Sequence, residues 1–258
     1  MTRALLLVAF AVSAVSARAQ ETVRLYAAGS LRAALNEVAA SYTGAKVEAV
    51  YGASGLLRDR IAAGERADVF ASANMDHPQS LASSGQTGPV RRFARNRLCG
   101  LASPKVNVTT DGFLDRLLDP SVTLGTSTPK ADPSGDYAWQ LFEKAERLRP
   151  GSFSILSAKA RKLTGGPDSP PPKDRSLYGM LVAEGKADLF LTYCTNALDA
   201  KKENPALQIV QIPAELSVAA DYGLVVLSRS DAASSLAQHI LSPAGQAIFV
   251  KHGFSSGS

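Results

Sequence analysis

Three strand-to-helix junctions constrain this chain more than any other feature. They are Ala28-Gly29-Ser30-Leu31, Gly52-Ala53-Ser54-Gly55 and Asp132-Pro133-Ser134-Gly135, and each sets a small hydroxyl residue where a helix should begin. A helix start leaves backbone N–H groups unpaired and carries partial positive charge, so several starts converging on one point can bind an anion without a metal or a lysine. Serine also favours helix starts for purely structural reasons, because it caps them. The argument for an oxyanion receptor therefore rests on the number and order of the junctions.

Around them the chain alternates between strand and helix patterns. Val23 to Ala27 reads as a buried strand, and after Ser30 the apolar positions Leu31, Leu35, Val38 and Tyr42 fall on one helical stripe. Val47 to Tyr51 is a second strand, a helix through Leu56, Leu57 and Ile61 stops at Gly64, and a strand runs from Ala67 to Ala71. Farther on, Val122 to Thr126 is a strand and Ser134-Gly135 opens a helix carrying Tyr137, Leu141, Phe142 and Ala145. Ile155 is expected in a short extended piece. The Gly/Pro-rich loop Thr164 to Pro172 then delivers the chain to a helix from about Ser176 to Glu184, capped by Gly185 and followed by a strand from Ala187 to Tyr193.

Two segments echo each other, Gly64-Glu65-Arg66-Ala67-Asp68-Val69-Phe70 and Gly185-Lys186-Ala187-Asp188-Leu189-Phe190. One per half of the chain, they favour two α/β lobes of similar build, each with a mainly parallel sheet flanked by helices. The connecting strands fall near Arg97 to Ala102 and Tyr222 to Leu227, which divides the chain into lobe I (22–96 plus 228–258) and lobe II (97–227). Ligands of open α/β sheets bind beyond the carboxyl ends of the strands, so two facing lobes enclose a cleft lined by the serine junctions.

The N-terminus has the form of an export signal. Met1-Thr2-Arg3, an apolar and small-residue run from Ala4 to Val15 and the site Ala17-Arg18-Ala19 make a cleavable secretory leader over residues 1–19. Losing Arg3 and Arg18 with it takes the formal net charge from +5 to +3. That weak surplus, with few aromatics near the basic residues, gives no nucleic-acid footprint, and Arg91-Arg92 with Arg95 to Arg97 reads as a solvated surface or linker. Cys99 and Cys194 are the two cysteines, and in an oxidising compartment they form one disulfide or remain two buried small residues.

Across nearly the whole mature chain the sequence resembles the periplasmic molybdate-binding proteins of ABC importers, which are type II periplasmic binding proteins. The resemblance is carried by Ala27 to Leu31, Tyr51 to Gly55, Ala67 to Ala73, Leu98 to Lys105, Asp132 to Ala138, Phe190 to Tyr193 and Leu241 to Phe254, in that order and spacing. It implies a two-lobed receptor, expected to be a monomer without cofactor or catalytic activity, that passes a tetrahedral oxyanion to a permease in the inner membrane. It also implies the ligand set. Two serine hydroxyls of the first lobe correspond to Ser30 and Ser54, a backbone N–H at a helix start to Ser134, a tyrosine hydroxyl to Tyr193, and a further backbone donor to Arg175 or Ser176. Such a pocket suits molybdate or tungstate, dianions that only accept hydrogen bonds, whereas a carboxylate inside would repel them.

The chain departs from that pattern at Arg175 and at Asp132 and Asp136, which bracket Ser134. On one account the aspartates cap the helix start, point to solvent and pair with Arg175; on the other Arg175 forks onto the ligand and alters specificity. Sulfate, thiosulfate and phosphate-like anions are chemical neighbours of molybdate. Ferric iron is a rival cargo because tyrosine pairs can hold it and Tyr193 is a cleft candidate; His77, His239 and His252 are scattered and lack ligand spacing for zinc or copper. Ser127-Thr128-Pro129-Lys130 fits the Ser-x-x-Lys pattern of serine acyltransferases, but Pro133 follows closely, no Ser-Asp-Asn element is present, and Lys162-Leu163-Thr164-Gly165 misses Lys-Thr-Gly by one residue.

Overall fold

The computed structural model describes residues 21–83, 88–169 and 175–257; the expected leader (1–19) and Pro170 to Pro172 of the Gly/Pro-rich loop lie outside them. In chain order β1 (Thr22–Ala28) leads through a single 3-10 turn (Gly29–Leu31) into α1 (Arg32–Ser41), followed by β2 (Lys46–Gly52), α2 (Ser54–Ala62), β3 (Val69–Ser72) and α3 (Asp76–Ala82). A long strand β4 (Arg91–Ala102) precedes α4 (Phe113–Leu118), β5 (Leu124–Ser127), α5 (Pro133–Leu148), α6 (Ser152–Lys159) and β6 (Arg161–Thr164). The chain continues through α7 (Leu177–Ala183), β7 (Leu189–Tyr193), α8 (Cys194–Glu203), β8 (Gln208–Gln211), β9 (Ala219–Val226), α9 (Asp231–Leu241), α10 (Pro243–Lys251) and β10 (Ser255–Ser256).

β4 belongs to two sheets. Its Arg91–Arg97 half pairs with β9 in a sheet ordered β2-β1-β3-β9-β4, and its Leu98–Ala102 half pairs with β7 and β8 in a sheet ordered β4-β7-β5-β6. In each sheet three parallel strands (β2-β1-β3 and β6-β5-β7) lie to one side and antiparallel partners form the junction. β3 and β7 are buried along their whole length, as strands covered on both faces must be, which is why they read as unbroken apolar runs. The largest group of buried apolar side chains runs from Val23, Leu35 and Leu236 through Phe93 and Tyr222 to Phe142 and Leu191, crossing the junction with β4 and β9.

The echoed Ala-Asp segments do the same job twice. Asp68 N–H donates to Arg24 O at 2.9 Å while Asp68 Oδ2 accepts from Arg24 N–H at 2.8 Å; Asp188 repeats both contacts with Thr123 at 2.9 and 2.8 Å. The main-chain oxygens of Asp68 and Asp188 accept from Leu227 and Ser103 N–H, each at 2.8 Å. Each aspartate thus fastens three chain segments at the end of its sheet opposite the junctions. Gly64 and Gly185, just before them, take φ of +97° and +71°, which end α2 and α7 as left-handed caps.

Two expectations change. Ile155 lies in α6 and is half exposed; the Glu146 carboxylate accepts from Gly151 and Phe153 N–H at 2.9 and 2.8 Å, a helix-start cap supplied from the last turn of α5, five and seven residues upstream. The return crossing also lies earlier than Tyr222 to Leu227. All of β9 pairs with β3 and β4 in the first sheet, so the chain crosses between β8 and Ala219. The Arg91–Arg97 segment is a strand with its arginines outward, and Asp221 pairs with Arg95 at 2.7 Å and Arg92 at 3.5 Å.

Candidate anion-binding cleft

The serine junctions converge, but not as caps. Ser54 is the first residue of α2 and Ser134 the second of α5, while Ser30 sits within the 3-10 turn; none of these hydroxyls caps its own helix. The capping side chain of α5 is Asp132, whose Oδ1 accepts from Ser134 N–H at 3.0 Å. A cleft of about 910 Å³ lies between the two sheets, and Ser30, Ser54, Arg175, Tyr193 and Asp132 line it. Ser134 is fully buried behind this wall.

Each first-wall serine keeps a proton to give. Ser54 Oγ accepts from Ala73 N–H at 3.1 Å, leaving its own O–H free for the cleft. Ser30 Oγ lies 2.9 Å from Tyr222 OH, which accepts in turn from Asn96 Nδ2 at 3.4 Å; the Asn96 amide is oriented because its Oδ1 accepts from Arg97 N–H at 2.9 Å. Tyr222 OH and Ser30 Oγ can each donate to the other, so either hydroxyl of the pair can turn its proton to a ligand. Tyr222 and Asn96, which support this wall, are not marked by the sequence, since an aromatic and an amide on two different strands carry no local signature.

The second wall differs. Ser134 Oγ and Tyr193 OH are buried and have no hydrogen-bond partner, a costly state for polar groups away from water. Burial holds the Tyr193, Tyr222 and Tyr137 phenols well above their ordinary pKa, so all three are neutral donors near pH 7. The rings stack as a group, with Tyr193 centroids 5.6 Å from Tyr222 and 6.3 Å from Tyr137. Both expected backbone donors are spent on carboxylates: Ser134 N–H on Asp132, and Ser176 N–H on both oxygens of Glu203 at 2.8 Å.

Asp132 thus caps the helix start as one account expects, but both aspartates are half-buried and neither pairs with Arg175 among the described residues. Asp136 Oδ1 accepts from Lys130 N–H at 2.8 Å, and Arg175 is exposed at the cleft rim without an ion pair among the described residues. Other cleft cations are engaged: Lys202 with Asp199 at 2.9 Å, Arg60 with Glu65, and Arg32 over the Tyr51 ring at 4.7 Å. Burial pushes the Asp132 carboxyl up to about 6, and the Asp136 carboxylate adds to the rise, against hydrogen bonds from Ser134 N–H and Ser127.

The walls touch at one edge. Gly55 N–H donates to Ala131 O at 2.9 Å, and Tyr137 OH to Ala73 O at 3.3 Å. Gly55 is required there, because a Cβ would stand 2.3 Å from Lys130 O and 2.7 Å from Ala131 O.

Ser127 ends β5 instead of opening a helix, and its Oγ lies 2.8 Å from Thr164 Oγ1, so the Ser-x-x-Lys geometry is not assembled. Among the described residues no group of three or more His, Cys, Asp or Glu is placed to hold a metal. Cys99 and Cys194 form a disulfide, Cα to Cα 4.9 Å, that ties β4 to the start of α8 beside Tyr193. No helix among the described residues is long and apolar enough to cross a membrane.

The pattern of the bacterial extracellular solute-binding family matches residues 23–255. The chain belongs to that family. This solute-binding protein is 37% identical over 211 residues to the uncharacterized protein PM1146 of Pasteurella multocida (strain Pm70), covering 80% of this chain and 87% of that one. Its fold matches the periplasmic molybdate-binding protein of Azotobacter vinelandii with a TM-score of 0.72 at 19% identity, over 90% of this chain and 98% of that one. It matches the sulfate-binding protein SubI of Mycobacterium tuberculosis H37Rv with a TM-score of 0.74 at 17% identity, over 91% and 86% of the two chains. The solute-binding protein thus shares its fold with those anion-binding proteins over about nine-tenths of its length.

Proposed function

We propose that the cleft receives a tetrahedral oxyanion, molybdate or tungstate among free anions, in the periplasm, and delivers it to an ABC permease. The observation that carries this reading is the pair of buried, unpartnered hydroxyls, Tyr193 OH in the cleft wall and Ser134 Oγ just behind it, on the side opposite Ser30 and Ser54. A cluster of neutral O–H donors recovers its desolvation cost when an acceptor-only anion arrives, and needs no fixed positive charge to do so. The two sheets act as the cores of two lobes that close on the anion by bending where β4 passes between sheets and where the chain returns before β9. Arg175, exposed at the rim, contacts an anion entering or leaving the cleft.

A second reading is favoured by the cleft volume. About 910 Å³ remains although the walls already touch at Gly55 and Tyr137, which is in the range of about 300–1,000 Å³ that holds organic ligands and several times what a bare oxyanion fills. An oxyanion carried on a small organic group, such as a phosphomonoester, uses the same hydroxyls and occupies the remaining space.

Calorimetric titration of the mature protein with molybdate, tungstate, sulfate, phosphate, a hexose phosphate and ferric citrate tests both. Saturable binding of molybdate and tungstate with weaker sulfate supports the first reading. Preference for the hexose phosphate supports the second, and binding of ferric citrate alone overturns both.

A further inference from the structure

Asp132 stands where a site for a bare dianion should have no acid. Its Oδ1 is occupied by Ser134 N–H at 3.0 Å, and its Oδ2 lies over Gly165, itself a cleft residue. A Cβ on Gly165 would stand 2.4 Å from Asp132 Cβ and 2.7 Å from Oδ2, and Gly165 takes φ of +76°, so the loop after β6 is shaped to leave room for this carboxyl. Tyr193 OH lines the same cleft and Ser134 Oγ lies just behind it, both buried and unpartnered.

The α5 N-terminus, through its dipole and Ser134 N–H, and the Ser127 hydroxyl favour an ionised Asp132, but no cationic side chain among the described residues pairs with it. On its own helix Asp136 is another acid, held by Lys130 N–H. Tyr178 of α7, Tyr193 of β7 and Tyr222 of β9 are phenols kept neutral by burial. At the rim Glu203 is acidic, and the Arg175 guanidinium makes no ion pair with Asp132 among the described residues. An ionised Asp132 and a dianion in this cleft repel each other across a medium that screens poorly.

We propose that Asp132 makes anion binding proton-linked, with one proton shared between its Oδ2 and an oxygen of the ligand. The inference rests on the oxyanion reading of the cleft and makes Asp132 its specificity-determining residue. Molybdate, tungstate and sulfate carry no proton near neutrality, so one proton passes from solvent to Oδ2 as each binds, and the resulting O–H donates to the anion. Hydrogen phosphate or a phosphomonoester monoanion brings its own proton and donates it to the ionised carboxylate. A carboxyl already pushed up to about 6 by burial takes up that proton readily.

The test is calorimetry of the mature protein with sodium molybdate, sodium sulfate and inorganic phosphate at pH 5.5, 7.0 and 8.5, each in two buffers of different ionisation enthalpy. Expected for the wild type is uptake approaching one proton per molybdate or sulfate at pH 8.5, with affinity falling about tenfold per pH unit above the Asp132 pKa. Asp132→Asn, which keeps a helix-capping side chain, should abolish both the uptake and the slope, bind molybdate more tightly than wild type at pH 8.5, and lose phosphate relative to molybdate. Should that variant not fold by circular dichroism, Asp132→Ser replaces it, and the wild-type proton count stands without any variant. Molybdate or sulfate bound with pH-independent affinity and no proton uptake overturns the proton link alone. Failure of all three anions to bind at every pH overturns the oxyanion reading and the proton link together.

Discussion

The two walls of the cleft are built from matching scaffolds and end in different chemistry. Asp68 and Asp188 clamp their sheets with the same three contacts, and each wall offers two hydroxyls where strands meet helices. In the first wall Ser54 and Ser30 are each engaged with their own scaffold and still have a proton to give. In the second, Ser134 and Tyr193 hydroxyls are unengaged, and the backbone donors are taken by Asp132 and Glu203. The difference assigns roles: the first wall is complete without ligand, whereas the second is left short of partners until one arrives. On the proposed oxyanion reading, discrimination between anions belongs to the second wall.

The largest expected effect falls on that wall's covalent support. Removing the disulfide with Cys99→Ala and Cys194→Ala should lower unfolding free energy by about 2–4 kcal/mol, read by denaturant titration. Because Cys194 adjoins Tyr193, the same variant should lose anion affinity, while an unaltered affinity would mean that the second wall is positioned without its staple.

Next in size are the direct contacts and the closure. Ser30→Ala, Ser54→Ala and Tyr193→Phe should each weaken anion binding by about 1.5–3 kcal/mol, the worth of a hydrogen bond to a charged acceptor. Gly55→Ala should cost at least as much, since its Cβ meets main-chain oxygens of the facing loop, and small-angle scattering should show a more open molecule in the presence of molybdate. Wild-type affinity in both serine variants would move the anion away from the first wall.

A smaller effect concerns pH and the ligand-free protein. The Asp132 pKa is raised in the folded state to about 6 from an ordinary value near 3.8, so the native protein holds more protons between these limits. Stability from this group is full below about pH 4, is lost as pH rises through 6, and amounts to on the order of 1–3 kcal/mol. Asp132→Asn should therefore raise the melting temperature at pH 8 more than at pH 4.

The smallest prediction separates the walls most sharply. Ser54→Ala strands the buried Ala73 N–H and should destabilise the ligand-free protein by about 1–3 kcal/mol. Tyr193→Phe removes a hydroxyl that has no partner, and should leave the ligand-free protein unchanged or stabilise it by up to about 1 kcal/mol, a rise in Tm of a few degrees. Equal losses in the two variants, measured by calorimetric melting, would erase the distinction.

What the sequence by itself determined are the features written in short-range pattern. The alternation of strands and helices follows from apolar periodicity and from Gly64 and Gly185 as left-handed caps, and the doubled Ala-Asp segment marks two equivalent sheets before any contact is known. The resemblance to molybdate-binding proteins points to Ser30, Ser54, Tyr193 and Arg175 or Ser176, all of which line the cleft. Tertiary structure alone decided where the hydrogen-bonding capacity of those residues goes. Asp132 becomes a half-buried acid on the cleft because Gly165, more than thirty residues later, folds over it, and Ser30 is held by Tyr222 and, through it, Asn96, which reach it from distant strands. Helix periodicity and capping depend on neighbours within a few positions, which a sequence displays. Desolvation and hydrogen-bond satisfaction depend on whichever groups the chain brings together, and those are set only when β4 and β9 have joined the two sheets.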